Sequence, residues 1–128
     1  MTNLLLPYLK ESDNGRVVNM SSIGQYLGVI NFDDINNLVS KIPFIAYSRS
    51  KLAIVLFTRE LAKRLKDTNI SSYVVSPEFI KKPEFVAEIP LLDDWFSQIT
   101  DPTIGAQTVL YVSMDESLRN ESGFYYQY

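Results

Sequence analysis

The sequence predicts an α/β fold built on a parallel sheet, and three observations predict it. Two β-branched runs, "RVVNM" at 16–20 and a second at 70–76 within "NISSYVVSP", are separated by a helical pattern at 46–66. Another helical pattern, opened by Asp101-Pro102 and running to about 115, precedes a short aromatic strand in "GFYYQY". Strand and helix in alternation is the pattern of a parallel sheet whose connections cross its faces.

Each element follows from local chemistry. "TNLLLPYLK" is apolar and helix-like but opens abruptly, so it reads as the last turns of a helix. "ESDNG" is a turn cluster closed by Gly15. The first strand ends at Ser21 and Ser22, and residues 23–43 form a long connection without a strong period. In the helix at 46–66, Leu52, Val55, Leu56, Arg59, Ala62 and Lys63 recur at threes and fours. Its charged residues Arg59, Glu60, Lys63, Arg64 and Lys66 read mainly as a solvated face. Pro77 stops the second strand, because proline has no N–H for a sheet ladder. The chain has 128 residues, which suits one domain spanning 1–128.

Composition excludes several kinds of chemistry. Cysteine and histidine are both absent. That removes disulfides, thiol nucleophiles, serine–histidine triads and zinc sites built on imidazole or thiolate. Asp33-Asp34 and Asp93-Asp94 are adjacent in sequence and point apart, so no metal site is expected. A net charge of −3 leaves no basic footprint for nucleic acid. No apolar run approaches a membrane span, and no secretory signal is readable. A cytoplasmic location, or one at the cytoplasmic face of a membrane, is the expectation.

The ends of parallel strands are where such sheets gather their binding sites. Ser21-Ser22 and Ser76-Pro77-Glu78 fall at carboxyl ends, and the head of the 46–66 helix returns to the same rim. Tyr47 and Lys51 stand there at i and i+4, sharing one helix face. An unperturbed phenol exchanges protons poorly at neutral pH, and a neighbouring ammonium favours its charged form. With a serine hydroxyl holding a substrate oxygen, the group has the parts for proton transfer to an alcohol or carbonyl. Taken alone, Tyr-x-x-x-Lys also fits an ordinary amphipathic pair, and serines after a strand fit simple turn formers.

The joint arrangement decides between them. "GRVVNMSSIGQYLG", "INFDDIN", "AYSRSKLAIVLFTRELAKRL", "SSYVVSP" and "GAQTVLYVSMDESLRNESGFYY" resemble the later half of a short-chain dehydrogenase/reductase. The long connection between Ser22 and Tyr47 resembles the retinol dehydrogenase-like branch. The resemblance implies a partial Rossmann-like sheet with flanking helices, lacking the amino-terminal nucleotide-binding half. It implies that Ser22 orients the substrate oxygen, Tyr47 is the general acid/base, and Lys51 tunes the tyrosine and binds the nicotinamide ribose. It places Tyr47, Lys51 and Pro77 beside an NAD or NADP cofactor, and a lipophilic alcohol or carbonyl as substrate.

Two departures from the family pattern carry expectations. The Gly-rich phosphate loop is absent: Gly15, Gly24, Gly28, Gly105 and Gly123 do not form its spacing. The chain is therefore expected to be truncated, either a shortened product, a partial gene reading or a relic, and inactive alone. Glu78 stands where the family has glycine, bringing bulk and negative charge near the cofactor turn. A non-catalytic chain that associates with a full-length relative, or with itself, is the second expectation. Helices corresponding to 2–10 and 46–66 often form the family's dimer interface.

Overall fold

The fold, seen in a computed structural model, is described for residues 1–35, 43–77 and 102–127. Helix α1 (Thr2–Leu9) leads through a turn into strand β1 (Gly15–Met20). Short 3₁₀ turns follow at Ile23–Leu27 and Phe32–Asp34. Then come α2 (Pro43–Arg64), β2 (Ile70–Ser76), α3 (Pro102–Met114), a 3₁₀ turn at Glu116–Leu118 and β3 (Tyr125–Gln127). The strands form one parallel sheet in the order β1-β2-β3.

The register pairs Gly15 with Ile70 and Met20 with Val75, so β1 and β2 end side by side. Successive strand residues face opposite sides of a sheet, and the two faces have separate cores. On one face Tyr73 and Val75 pack with Val112 of α3 and Leu118, joined by Val18 and Tyr126. On the other, Ile70 packs with Leu61 of α2 and Leu65, joined by Val17, Leu6 and Leu9. The long helix α2 and the short α1 thus cover one face, and α3 covers the other.

Polar groups pin these layers together. Arg16 projects onto the α3 face, where its guanidinium donates to the carbonyls of Val112 and Asp115, both at 2.8 Å. Those are C-terminal carbonyls that a helix leaves without partners of its own, and a cation is favoured there. Asn19 points to the opposite face and donates to Thr58 Oγ1 of α2 at 3.0 Å. The buried Tyr73 hydroxyl donates to the Leu118 carbonyl at 2.8 Å, fixing the turn before β3.

Two features shape the approach of α2 to the sheet. Pro43 opens the helix, a position where its missing N–H costs nothing, so Tyr47 lies one turn inside. Gly28, at the end of the first 3₁₀ turn, lies against the α2 backbone. A Cβ there would stand 2.5 Å from the Ser48 carbonyl oxygen and 2.9 Å from Leu52 Cβ. Its φ of −74 is ordinary, so the need for glycine is one of space alone.

Gly28→Ala is therefore expected to destabilise the chain by about 2–3 kcal/mol, the cost of forcing atoms into a packed contact. Urea denaturation measures it, with Gly24→Ala as the milder comparison. An unchanged midpoint would mean that the turn lifts off α2 without penalty.

Candidate functional site

The site is assembled where β1 and β2 end. Ser21 closes the junction. Its N–H donates to the Val75 carbonyl at 2.8 Å, and its hydroxyl donates to the Lys51 carbonyl at 2.9 Å. Nearly all of its surface is buried. Ser21 therefore ties α2 to the end of β1 and is not available to a ligand.

Ser22 behaves differently. It sits in extended backbone at the amino end of the 3₁₀ turn, half-buried, where its Oγ accepts from the Gly24 N–H at 3.3 Å. A hydroxyl carries one donor and two acceptor sites. Accepting from Gly24 leaves the Ser22 O–H for another oxygen.

Gly24 brings the turn against Tyr47. A Cβ at Gly24 would lie 3.2 Å from Tyr47 Cε1 and 3.6 Å from Ser48 Oγ. Ser22 and Tyr47 are thus neighbours through one glycine. The Tyr47 ring stacks with Phe44 one turn back, centroids 6.5 Å apart and planes 26° apart. Lys51, one turn on, places its Nζ 5.5 Å from the Tyr47 ring centroid. The same ammonium donates to the Met20 carbonyl at 3.3 Å. An ammonium has three donors, so two N–H groups remain at the rim.

Pro77 follows β2, level with Ser21 and Ser22 on the adjoining strand end. Ser22, Tyr47, Lys51 and Pro77 accordingly share one rim of the sheet. Glu78 and the apolar segment 85–99 lie outside the described residues. Among the described residues no group of acidic side chains is placed to hold a metal ion. No described helix is long and apolar enough to cross a membrane.

The structure adds two tyrosines. Tyr26 and Tyr125 meet edge to face at 6.4 Å, joining the 3₁₀ turn to the start of β3. Burial pushes the Tyr125 phenol up from its ordinary pKa. The Ser76 hydroxyl draws it partly back, without reaching hydrogen-bond geometry, and the phenols of Tyr26 and Tyr47 raise it further. Tyr125 is therefore close to the Tyr47 side of the rim. Its place follows from the pairing of Tyr125 with Val74 in the sheet. An aromatic terminal strand is visible in sequence; that pairing is not.

A serine hydroxyl, a phenol and an ammonium on one strand-end rim form a set able to hold an oxygen and move a proton to or from it. Comparison with known proteins gives the family. Residues 1–90 match the short chain dehydrogenase family. Retinol dehydrogenase 12 of Bos taurus is 43% identical over 129 residues, covering 98% of this chain and 41% of that protein. Retinol dehydrogenase 11 of Mus musculus is 39% identical over 131 residues, with 98% and 41% covered. The chain spans about two-fifths of the length of these relatives. A short-chain dehydrogenase of Shigella flexneri, solved in complex with NADP, superposes with a TM-score of 0.71 at 21% identity, covering 98% of this chain and 46% of that one. That likeness gives the Rossmann-like fold, and the sequence relatives give the branch. The chain belongs to the short-chain dehydrogenase family, in its retinol dehydrogenase-like branch.

Proposed function

We propose that this chain is the proton-transferring half of an NAD(P)-dependent oxidoreductase that interconverts a lipophilic alcohol and its carbonyl compound. The observation that carries the reading is the Lys51 ammonium beside the Tyr47 ring, 5.5 Å from its centroid, at the strand end that bears Ser22. The substrate class is supported by the relatives' names, since retinol is a lipophilic alcohol.

The steps assigned to this chain follow from its donors. Ser22 donates its free O–H to the substrate oxygen and holds it beside Tyr47. In carbonyl reduction the Tyr47 phenol passes its proton to that oxygen; in alcohol oxidation it takes the proton back. Lys51 supplies fixed positive charge where negative charge develops, an electrostatic contribution that needs no reorganisation. The hydride would come from, or go to, a nicotinamide held beside Tyr47 and Lys51.

The residues present fit one end of that cofactor. Lys51 has two N–H groups for ribose hydroxyls, Tyr47 is its neighbour, and Pro77 stands in the adjoining turn. No cradle for a pyrophosphate occurs among the described residues. Gly15, Gly24, Gly28 and Gly123 are each packed against the chain itself, at Leu9, Tyr47, Ser48 and Ala62.

A second reading, association with another chain, is supported by exposed apolar surface. Helix α1 buries none of its residues fully, and Leu4 and Tyr8 are 77% and 70% exposed. Among the described residues β1 has a strand partner on one side only.

Three outcomes are expected. In a chain extended to the length of its relatives, Tyr47→Phe cuts turnover about a hundredfold or more, whereas Ser21→Ala acts first on stability. Turnover unaffected by Tyr47→Phe would return Tyr47 and Lys51 to an ordinary helix pair. The 128-residue chain alone binds NADPH more weakly than micromolar in calorimetry, for want of a phosphate cradle; micromolar binding would overturn this. Light scattering of the untagged chain is expected to show self-association that a Leu4→Lys, Tyr8→Lys double substitution reduces. A monodisperse monomer would remove the second reading.

A further inference from the structure

A groove of about 930 Å³ runs along α2 and is closed on its other side by the residues leading into β3. Its volume falls in the range of small-molecule sites. From Leu52 to Arg64, where α2 ends, the helix contributes a wall about 18 Å long at 1.5 Å per residue.

The groove is polarised along its length. Leu52, Val55 and Leu56 line it over the earlier turns of α2, joined by Tyr26 and Tyr125. Arg59 and Lys63 line it over the last turns of α2 and Lys66 just past the helix end, joined by Asn120 and Ser122. Arg59 and Lys63, at i and i+4, share one stripe of α2, and Lys66 follows in the turn just after the helix. All three are exposed. Among the described residues none has a carboxylate within ion-pair distance; Glu60 is paired with Arg64 at 2.9 Å and feels Lys63 only at longer range.

Position near the end of α2 explains part of this, because cations complement the negative end of a helix. It does not explain why they line the same groove as an apolar floor. Solvated lysines and arginines serving the dipole alone have no need of Leu56 and Phe124, which are 43% and 56% exposed in that groove. An apolar trough ending in unpaired positive charge is complementary to a molecule with an apolar tail and an anionic head. The concave shape suits one chain in preference to a flat lipid surface.

We propose that this groove binds a single-chain anionic amphiphile of the long-chain carboxylate class. Its head lies at Arg59, Lys63 and Lys66, and its tail lies over Leu52, Val55 and Tyr26. Charge-assisted contacts to the head fix its orientation, and the tail end approaches the Tyr26–Tyr125 pair. The tail end borders the Tyr47 side of the rim, but the proposal does not depend on the assignment of the proton-transfer residues.

Calorimetric titration of the full 128-residue chain with dodecanoate, below its micelle concentration, tests this. Dodecanoate is expected to saturate one site and to bind about tenfold or more tighter than uncharged 1-dodecanol, the contribution of charge-assisted contacts. Butyrate, which has the head without the tail, is expected to give no detectable binding. Arg59→Gln with Lys63→Gln should bring dodecanoate down to the level of dodecanol with the thermal melt unchanged, since both positions are exposed. Equal affinity for dodecanoate and dodecanol, or indifference to the two substitutions, would overturn the proposal. Binding to anionic phospholipid vesicles without binding to free dodecanoate would also overturn it, and would assign the cations to a membrane surface.

Discussion

The structure depends on the burial of β2. Every residue from Ile70 to Ser76 is buried. The strand is hydrogen-bonded along both edges, to β1 and to β3, and covered on both faces. A strand so enclosed must pair its backbone N–H and C=O groups, mostly in the ladders and at Ser72 with the Ser122 hydroxyl and the Gly123 N–H, since an unpaired buried peptide group costs about as much as a lost hydrogen bond. That requirement locks the register, and a slip by one residue would turn Tyr73 and Val75 toward the wrong layer. The position of the site follows. With Met20 opposite Val75, the N–H of Ser21 still finds the Val75 carbonyl, and the chain leaves the sheet only at Ser22.

Two adjacent serines therefore do different work. Ser21 completes the ladder and clamps the α2 backbone at the Lys51 carbonyl. The Lys51 side chain returns to the Met20 carbonyl of the same strand. Main chain and side chain of one residue thus hold the helix to β1 from two directions, and Tyr47 is carried one turn away on a fixed frame. Gly24 and Gly28 let the 3₁₀ turn close on that frame, at the Tyr47 ring and the Ser48 backbone. A loose turn would leave Ser22 without a fixed relation to Tyr47, and proton transfer needs hydrogen-bond reach between them and the substrate.

Much of this was legible in the sequence, for physical reasons. The strands at 16–20 and 70–76 are short runs bounded by turn formers, and both appear with at most one residue of difference. The helix expected at 46–66 runs from Pro43 to Arg64: it begins earlier because a long aperiodic connection masked a proline start signal, and it ends earlier in a turn at 65–67. The rim residues Ser22, Tyr47, Lys51 and Pro77 were legible because spacing along a helix and position after a strand are local properties. Tyr125 was not, since its place depends on which residue of β2 it pairs with. The roles of Gly24 and Gly28 were hidden as well, because a close backbone approach leaves no sign in composition. Arg16 read as the start of a strand; its reach to the end of α3 crosses 96 and 99 residues of sequence.

Charge placement links the rim to the groove. The chain is acidic overall, with a net charge of −3, yet α2 carries Arg49, Lys51, Arg59, Lys63 and Arg64 against the lone acid Glu60. Helix propensity does not require this, since glutamate serves a helix as well as lysine does. The dipole favours cations in the last turn and gives nothing to Lys51 in the third. Lys51 and the Arg59–Lys63 pair, with Lys66 just beyond the helix end, each stand beside another element: the β1 end for one, the approach to β3 for the others. Glu60 meets Arg64 away from both. On an acidic chain, positive charge that has no carboxylate partner among the described residues and stands beside a concave surface is a field directed at something negative. At Lys51 the proposed target is the oxygen of a proton-transfer step, and along the later turns it is the head of the proposed anionic ligand.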